Sequence, residues 1–194
     1  MLHIGRINKL SVLKILDFGL YLDGKEFGEI LLPTKFIPPK TGVGSILEVF
    51  VYFDSEDRII ATTQKPYVMV NQISLLKVVS VNSFGAFLDW GLDKDLLLPN
   101  NEQVGKIQKN GYYLVYAYID KKNTLIAASE KIEKFIDHSL HNFKQGMSVD
   151  LLIYKKIKLG YKALINNNYL GILYGNEVFQ GLKIGQKVKG KRVY

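Results

Sequence analysis

The sequence is informative first through what it lacks. Its 194 residues contain no cysteine, which excludes disulfide frameworks and thiolate metal sites. No apolar run approaches the ~20 residues that a transmembrane helix needs. The N-terminus has no charged-then-apolar signal pattern, so export is not expected. With 47% hydrophobic residues, the chain is predicted to be a folded cytoplasmic protein with no membrane partner.

Catalytic and ligand-binding motifs are also missing. No paired carboxylates recur with a histidine or lysine base, so the chain is not expected to be an enzyme. Residues 185–192 nearly match a phosphate-binding loop, but Arg192 stands where that loop needs Ser or Thr. His138 and His141 have no evident third metal ligand. The sequence therefore predicts neither a cofactor nor a metal site.

What the sequence does contain is an internal repeat. Residues 10–65 align with residues 76–131 without a gap at a shift of 66, and a shift of 141 from the first copy reveals a third. The matches include Phe18 with Phe84, Pro33 with Pro99, Asp54 with Asp120, and Gly19 with Gly85 and Gly160. A period this long predicts small domains rather than solenoid units. The predicted domains are 1–65, 66–131 and 146–194, with 132–145 as a linker.

Each copy has the pattern of a small β-barrel. In the first two copies, five short apolar segments are separated by turn signals, and the longest loop lies between the third and fourth segments. This layout predicts an all-β chain of tandem five-stranded OB-fold barrels. In the linker, apolar residues recur at steps of three and four, which predicts a short amphipathic helix. They are Ile132, Phe135, Ile136, Leu140 and Phe143.

The third copy is predicted to be incomplete. At the shift of 141, Tyr194 falls on Phe53, so the sequence ends before the fifth strand of the repeat. Either the natural protein is longer or another segment closes the barrel. An open sheet edge exposes unpaired backbone groups and invites pairing with another chain.

Positive charge is concentrated in the same copy. Residues 1–65 carry 8 basic and 8 acidic side chains, residues 66–131 carry 7 and 6, and residues 132–194 carry 11 and 4. Most surface lysines are simply solvated. Seven of eight net charges in one of three related units nevertheless indicate a polyanion-binding arm.

The second strand of the repeat carries the pattern that points to a ligand. Residues 17–22 (DFGLYL) and 83–88 (SFGAFL) resemble the signature of the S1 (S-one) domain, an RNA-binding OB-fold. In that family two aromatic side chains around a glycine stack on bases. The resemblance implies this role for Phe18 and Tyr21 in copy one. It implies the same for Phe84 and Phe87 in copy two.

Other positions match the S1 pattern only in part. Asp54 and Asp120 match the aspartate of the last turn, where capping of the turn is the alternative role, and Arg58 matches the basic residue that follows. The family's histidine is replaced by Leu31 and Leu97, and Thr124 stands where copy two would need arginine. Copy three has Leu159 and Lys162 in place of the aromatic pair. It is therefore expected to bind by charge, through Lys162, Lys189, Lys191 and Arg192.

A more specific resemblance covers nearly the whole chain. Triple repetition, together with residues 28–33, 52–67 and 84–90, is similar to the conserved virulence factor B family of bacterial proteins. That family has three such domains followed by a winged helix. The resemblance implies that this chain lacks the end of domain three and the winged helix.

The sequence thus predicts a non-catalytic regulator that binds single-stranded RNA. The alternative is a protein-interaction scaffold, whose partner is another protein or the absent C-terminal part. Each aromatic side chain has core burial as its alternative role. For Tyr52 and Tyr118 the sequence favours neither groove nor core.

Overall fold

The computed structural model describes residues 1–121, 124–136, 144–167 and 169–191. Over these residues the chain forms β-strands and short 3-10 helices, as the alternating β-branched and aromatic residues predict. None of the helices there is long and apolar enough to cross a membrane. The strands are β1 (Ile7–Leu16), β2 (Gly19–Asp23), β3 (Glu29–Pro33), β4 (Ile46–Phe53), β5 (Ile59–Thr62), β6 (Gln72–Val81), β7 (Gly85–Asp89), β8 (Leu96–Pro99), β9 (Tyr112–Ile119), β10 (Ile126–Ser129), β11 (Ser148–Ile157), β12 (Gly160–Ile165), β13 (Tyr169–Tyr174) and β14 (Lys187–Lys191).

The first ten strands form two closed barrels with the same topology. Barrel one has the order β1-β2-β3-β5-β4, and barrel two repeats it with β6 to β10. The pairing of β3 with β5 is parallel, with Leu31 opposite Ile60, and Leu97 is opposite Ala127 in barrel two. The other barrel pairings are antiparallel. The predicted fold class, tandem OB-fold barrels, is confirmed.

A bulge bends the first strand of every unit at an equivalent place. The strand register shifts between Val12 and Lys14, and again at the equivalent positions in β6 and β11. The repeated glycine does not lie at this bulge but at the start of the next strand. The glycine instead allows close contact, because a Cβ on Gly85 would lie 2.2 Å from the Leu98 carbonyl oxygen.

The third unit is an open sheet rather than a barrel. Its strands run in the order β13-β12-β11-β14. Within the described ranges, no fifth strand connects β13 to β14. The predicted incompleteness of the third barrel is confirmed for this part of the chain.

The predicted helical linker needs a correction. The chain forms only a 3-10 helix over Ile132–Phe135, and Ile136 already has extended backbone angles (φ −95°, ψ 140°). Ile132 and Ile136 are buried between barrel two and the third sheet, so the apolar spacing reflects packing rather than an α-helix. Leu140 and Phe143 lie outside the described residues.

Aromatic contacts join the units at both junctions. The ring of Trp90 in barrel two lies 5.6 Å from that of Phe50 on β4, centroid to centroid. At the equivalent position on β9, Tyr116 stacks on Phe135 of the linker at 4.4 Å, with the planes 8° apart. Because each fourth strand presents an aromatic side chain outward, the next segment of the chain can bury it.

Candidate nucleic-acid interface

The aromatic pair of barrel one is accessible to solvent. Phe18 lies in the turn before β2 and is 56% exposed, while Tyr21 lies within β2 and is half-buried. Their ring centroids are 6.2 Å apart and the ring planes cross at 87°. The exposed Phe18 ring in this edge-to-face pair can stack on a nucleobase. We call Phe18, Tyr21 and the side chains beside them the barrel-one face.

A lysine that the sequence reasoning missed lies on this face. Lys14 Nζ lies 4.7 Å from the centroid of the Tyr21 ring and 2.6 Å from Glu29 Oε2. Lys14 is directly opposite Tyr21 in the β1–β2 pairing. The pairing register of the β1–β2 hairpin was therefore the signal that could have identified Lys14. The position suits a contact with a phosphate beside a stacked base.

Arg58 and Asp54 are engaged with each other. Asp54 Oδ1 accepts hydrogen bonds from the backbone amides of Glu56 and Arg58, and Oδ2 accepts one from Arg58 Nε at 2.9 Å. Burial opposes ionisation of Asp54, but these hydrogen bonds outweigh it and lower the pKa of its carboxyl. Asp54 therefore caps the turn, and Arg58 is exposed but paired, with a second contact to Glu56 at 3.0 Å.

The two aromatic residues of barrel two have different surroundings. Phe84 is 73% exposed, whereas Phe87 lines a cleft of about 430 Å³ between the barrels. The wall opposite Phe87 comes from barrel one and includes Phe53 and Asp57. Lys94 joins the two sides, because its Nζ lies 2.6 Å from the Asp54 carbonyl oxygen and 2.9 Å from Asp57 Oδ1. We call this the barrel-two cleft.

The barrel-two cleft is acidic. Asp57, Asp95 and Asp120 line it, and the lysine among its lining residues is Lys94. Burial, and then the nearby charge of Asp89, raise the pKa of Asp95. A flat apolar ring can enter this cleft, but the carboxylates repel a phosphate.

The two tyrosines with undecided roles differ from each other. Tyr52 is 3% exposed and packs on Trp90 at 6.2 Å, so it belongs to the core. Burial, with Asp93 and Asp54 nearby, raises the pKa of Tyr52 to about 12. Tyr118 is only partly buried and lies 5.1 Å from the Phe135 ring. Neither tyrosine lies on the barrel-one face.

The lysines predicted in the third unit are scattered. Lys162 Nζ lies 2.8 Å from Glu133 Oε1, where Tyr154 also donates a hydrogen bond, so it belongs to the junction with the linker. Lys189 pairs with Asp150 at 2.8 Å. Lys191 is exposed, as is Leu159 at the first aromatic position. Arg192 lies outside the described residues.

The barrels correspond to a known family. The S1 domain profile matches residues 4–64 and 72–129, which together are more than half of the chain and coincide with the two closed barrels. This chain belongs to the S1 domain family. Conserved virulence factor B of Staphylococcus haemolyticus is 26% identical over 96% of this chain and 65% of its own length. The uncharacterized protein YitL of Bacillus subtilis is 27% identical over 94% of this chain and 63% of its own.

These relatives confirm the resemblance to the conserved virulence factor B family. The chain spans less than two thirds of the length of both. A crystal structure of a multidomain protein with nucleic acid binding domains from Streptococcus pneumoniae superimposes with a TM-score of 0.57. It is 18% identical, and the match covers 98% of this chain and 69% of that one. This likeness shows that the fold is shared.

Proposed function

We propose that this S1-family chain binds single-stranded RNA without catalysis and acts as a regulator of gene expression at the RNA level. Its units, 1–65, 66–131 and 146–194 with 132–145 as linker, would present separate contacts to one strand. The observation that carries the proposal is the accessible pair Phe18 and Tyr21 with Lys14 beside it. The two aromatic rings can stack on any base, and Lys14 can contact a phosphate.

The direct test replaces the two exposed phenylalanines. Phe18→Ala and Phe84→Ala should each weaken binding of a single-stranded oligonucleotide by roughly 1–3 kcal/mol, the usual value of one base stack. Because both rings are exposed, the unfolding midpoint should not change. Fluorescence anisotropy measures the first quantity and thermal unfolding the second. Unchanged RNA affinity in both variants would contradict the proposed stacking role.

The basic third unit has its own test. Replacing Lys189, Lys191 and Arg192 with glutamine should lower the slope of log affinity against log salt by up to about 2, because each phosphate contact contributes about 0.7. Tyr21→Ala should reduce affinity with little change of slope. Identical slopes for the wild type and the triple variant would exclude an electrostatic role for these residues.

One observation favours a protein-interaction scaffold as the second candidate. Within the described residues, β13 and β14 each pair with one neighbouring strand, so a strand of a partner could be added beside them. A scaffold would bind its partner through backbone pairing, and its affinity would depend little on salt. Strong salt dependence of RNA binding, lost in the glutamine variant, favours the first candidate.

A further inference from the structure

The loop between β13 and β14 carries the most exposed aromatic side chain in the described residues. Phe179 is 98% exposed. One exposed ring is ordinary on a protein surface, so its surroundings decide whether it has a role. They form a groove of about 390 Å³ between this loop and the β11–β12 hairpin.

The groove combines rings, lysines and bare backbone. Phe179 and Tyr161 line it together with Lys156 and Lys158, and three glycines contribute backbone without side chains. Tyr161 is half-buried, and its hydroxyl accepts a long hydrogen bond (3.4 Å) from the Leu182 amide. This bond ties the tyrosine to the loop that carries Phe179, so one side of the groove is held in place.

The charge of the groove is uncompensated. Both Lys156 and Lys158 are exposed, and in the described part of the chain neither forms an ion pair. No acidic side chain is among the described lining residues. Lys162 and Lys189 differ, since each has a carboxylate partner. The groove is therefore positively charged, whereas the barrel-two cleft is negatively charged.

The repeat shows that this aromatic residue is particular to the third unit. The shifts of 141 and 75 place Pro38 and Val104 at the position of Phe179, and neither has an aromatic ring. The third unit in turn has Leu159 and Lys162 where the other two have their aromatic pairs. It lacks aromatic side chains at these two positions and has Phe179 in the loop instead.

We infer that this groove is a separate single-stranded RNA site, in which Phe179 stacks on a base while Lys156 and Lys158 hold the flanking phosphates. The inference rests on the proposed function for its ligand class but places the contact on a different surface. An acidic peptide would satisfy the lysines, but it offers a flat ring to Phe179 only where it carries an aromatic residue. Single-stranded RNA supplies both a ring and a phosphate in each nucleotide.

Two pairs of variants test the site in the full chain with an oligouridylate probe. Phe179→Ala should weaken binding roughly 5- to 100-fold with little change of salt slope. The double variant Lys156→Gln, Lys158→Gln should lower the slope by up to about 1.4. Matched controls come from the equivalent loop of barrel two. Val104→Ala removes an exposed side chain, and Lys106→Gln with Lys109→Gln removes the same charge.

A photocross-link gives a readout that does not depend on affinity. Oligonucleotides with 5-bromouridine should cross-link to the peptide that contains Phe179, as identified by mass spectrometry. If Phe179→Ala binds like the wild type while Phe18→Ala is impaired, this site is wrong and the proposed function stands. If the wild-type chain does not bind RNA, both are wrong. Displacement of RNA by polyglutamate without any cross-link at the loop would identify an acidic protein partner and overturn the inference.

Discussion

The barrel-one face and the barrel-two cleft start from equivalent residues and differ in their surroundings. Tyr21 and Phe87 occupy the same place on the second strand, but Tyr21 has Lys14 above its ring and Phe87 faces a wall from the neighbouring barrel. In barrel one, Glu29 forms an ion pair with Lys14. Asp95 occupies the position of Glu29 in barrel two, but it lies near another carboxylate, that of Asp89. The S1 signature therefore places an aromatic side chain on the second strand, while the packing of domains decides what can reach it.

The largest effect should come from separating the two barrels. Trp90 is buried against Phe50 and Tyr52, and its indole donates a hydrogen bond to the Lys94 carbonyl oxygen. Trp90→Ala should therefore lower the free energy of unfolding by about 3–5 kcal/mol, the usual cost of a large buried truncation. Denaturant titration measures the change.

Phe84→Ala is the control for Trp90→Ala, because it removes an exposed aromatic ring from the same barrel. Equal unfolding free energies for the two variants would show that the junction contributes nothing to stability. The close packing of the two barrels around the barrel-two cleft would then need a cause other than the burial of Trp90.

The second prediction compares the two platforms directly. Tyr21→Ala should weaken binding of a single-stranded RNA by roughly 1–3 kcal/mol. Phe87→Ala should weaken RNA binding by less than Tyr21→Ala does, because the carboxylates of the cleft repel the phosphates that accompany a base. Anisotropy titrations at one salt concentration compare the variants. Equal losses would mean that the acidic wall does not affect access to Phe87.

The third prediction tests the acidic wall that barrel one contributes to the barrel-two cleft. Asp57→Asn removes one carboxylate and releases Lys94, so RNA affinity should rise about twofold to fivefold at low salt. Asparagine also tolerates the positive φ of 59° at this turn. The same substitution in the Phe87→Ala background should have a smaller effect. A gain that does not depend on Phe87 would place the effect outside the cleft.

The smallest effect concerns stability and pH. Since folding raises the pKa of Asp95, stability gained by its neutral form is present at low pH and lost as pH rises through the folded value. Asp95→Asn should therefore stabilise the protein at neutral pH, by less than about 1 kcal/mol because solvent screens the exposed part. Below pH 3.8, the ordinary pKa of an aspartate, the difference should vanish.

Glu29→Gln is the matched variant in barrel one. Glu29→Gln removes the ion pair with Lys14. It should therefore destabilise the protein at neutral pH, by a similarly small amount. Denaturant titrations at two pH values measure both variants. Destabilisation by Asp95→Asn would show that the carboxylate has a favourable partner in solution.

Much of the fold followed from the repeat, because local patterns specify strands and their order. The alternation in the first two copies predicted five strands each, and Phe18 beside Gly19 predicted an exposed ring. Over its described residues 132–136 the linker is not an α-helix, because the spacing of Ile132 and Ile136 serves burial against two sheets rather than helical periodicity. Tyr52 stayed undecided because β4 is apolar on both faces, and only a neighbouring barrel shows which face is covered.

The three-fold repeat, the layout of the OB-fold strands, the aromatic signature and the concentration of positive charge in the last unit can all be read from the amino-acid sequence. Each of these is a property of residues close together in the chain or related by a constant shift. Only the tertiary structure decided that Phe87 faces an acidic wall and that Lys162 is held by Glu133. The physical reason is that the wall depends on contacts between distant residues, such as Lys94 with Asp54, 40 positions apart. No local pattern encodes such a contact.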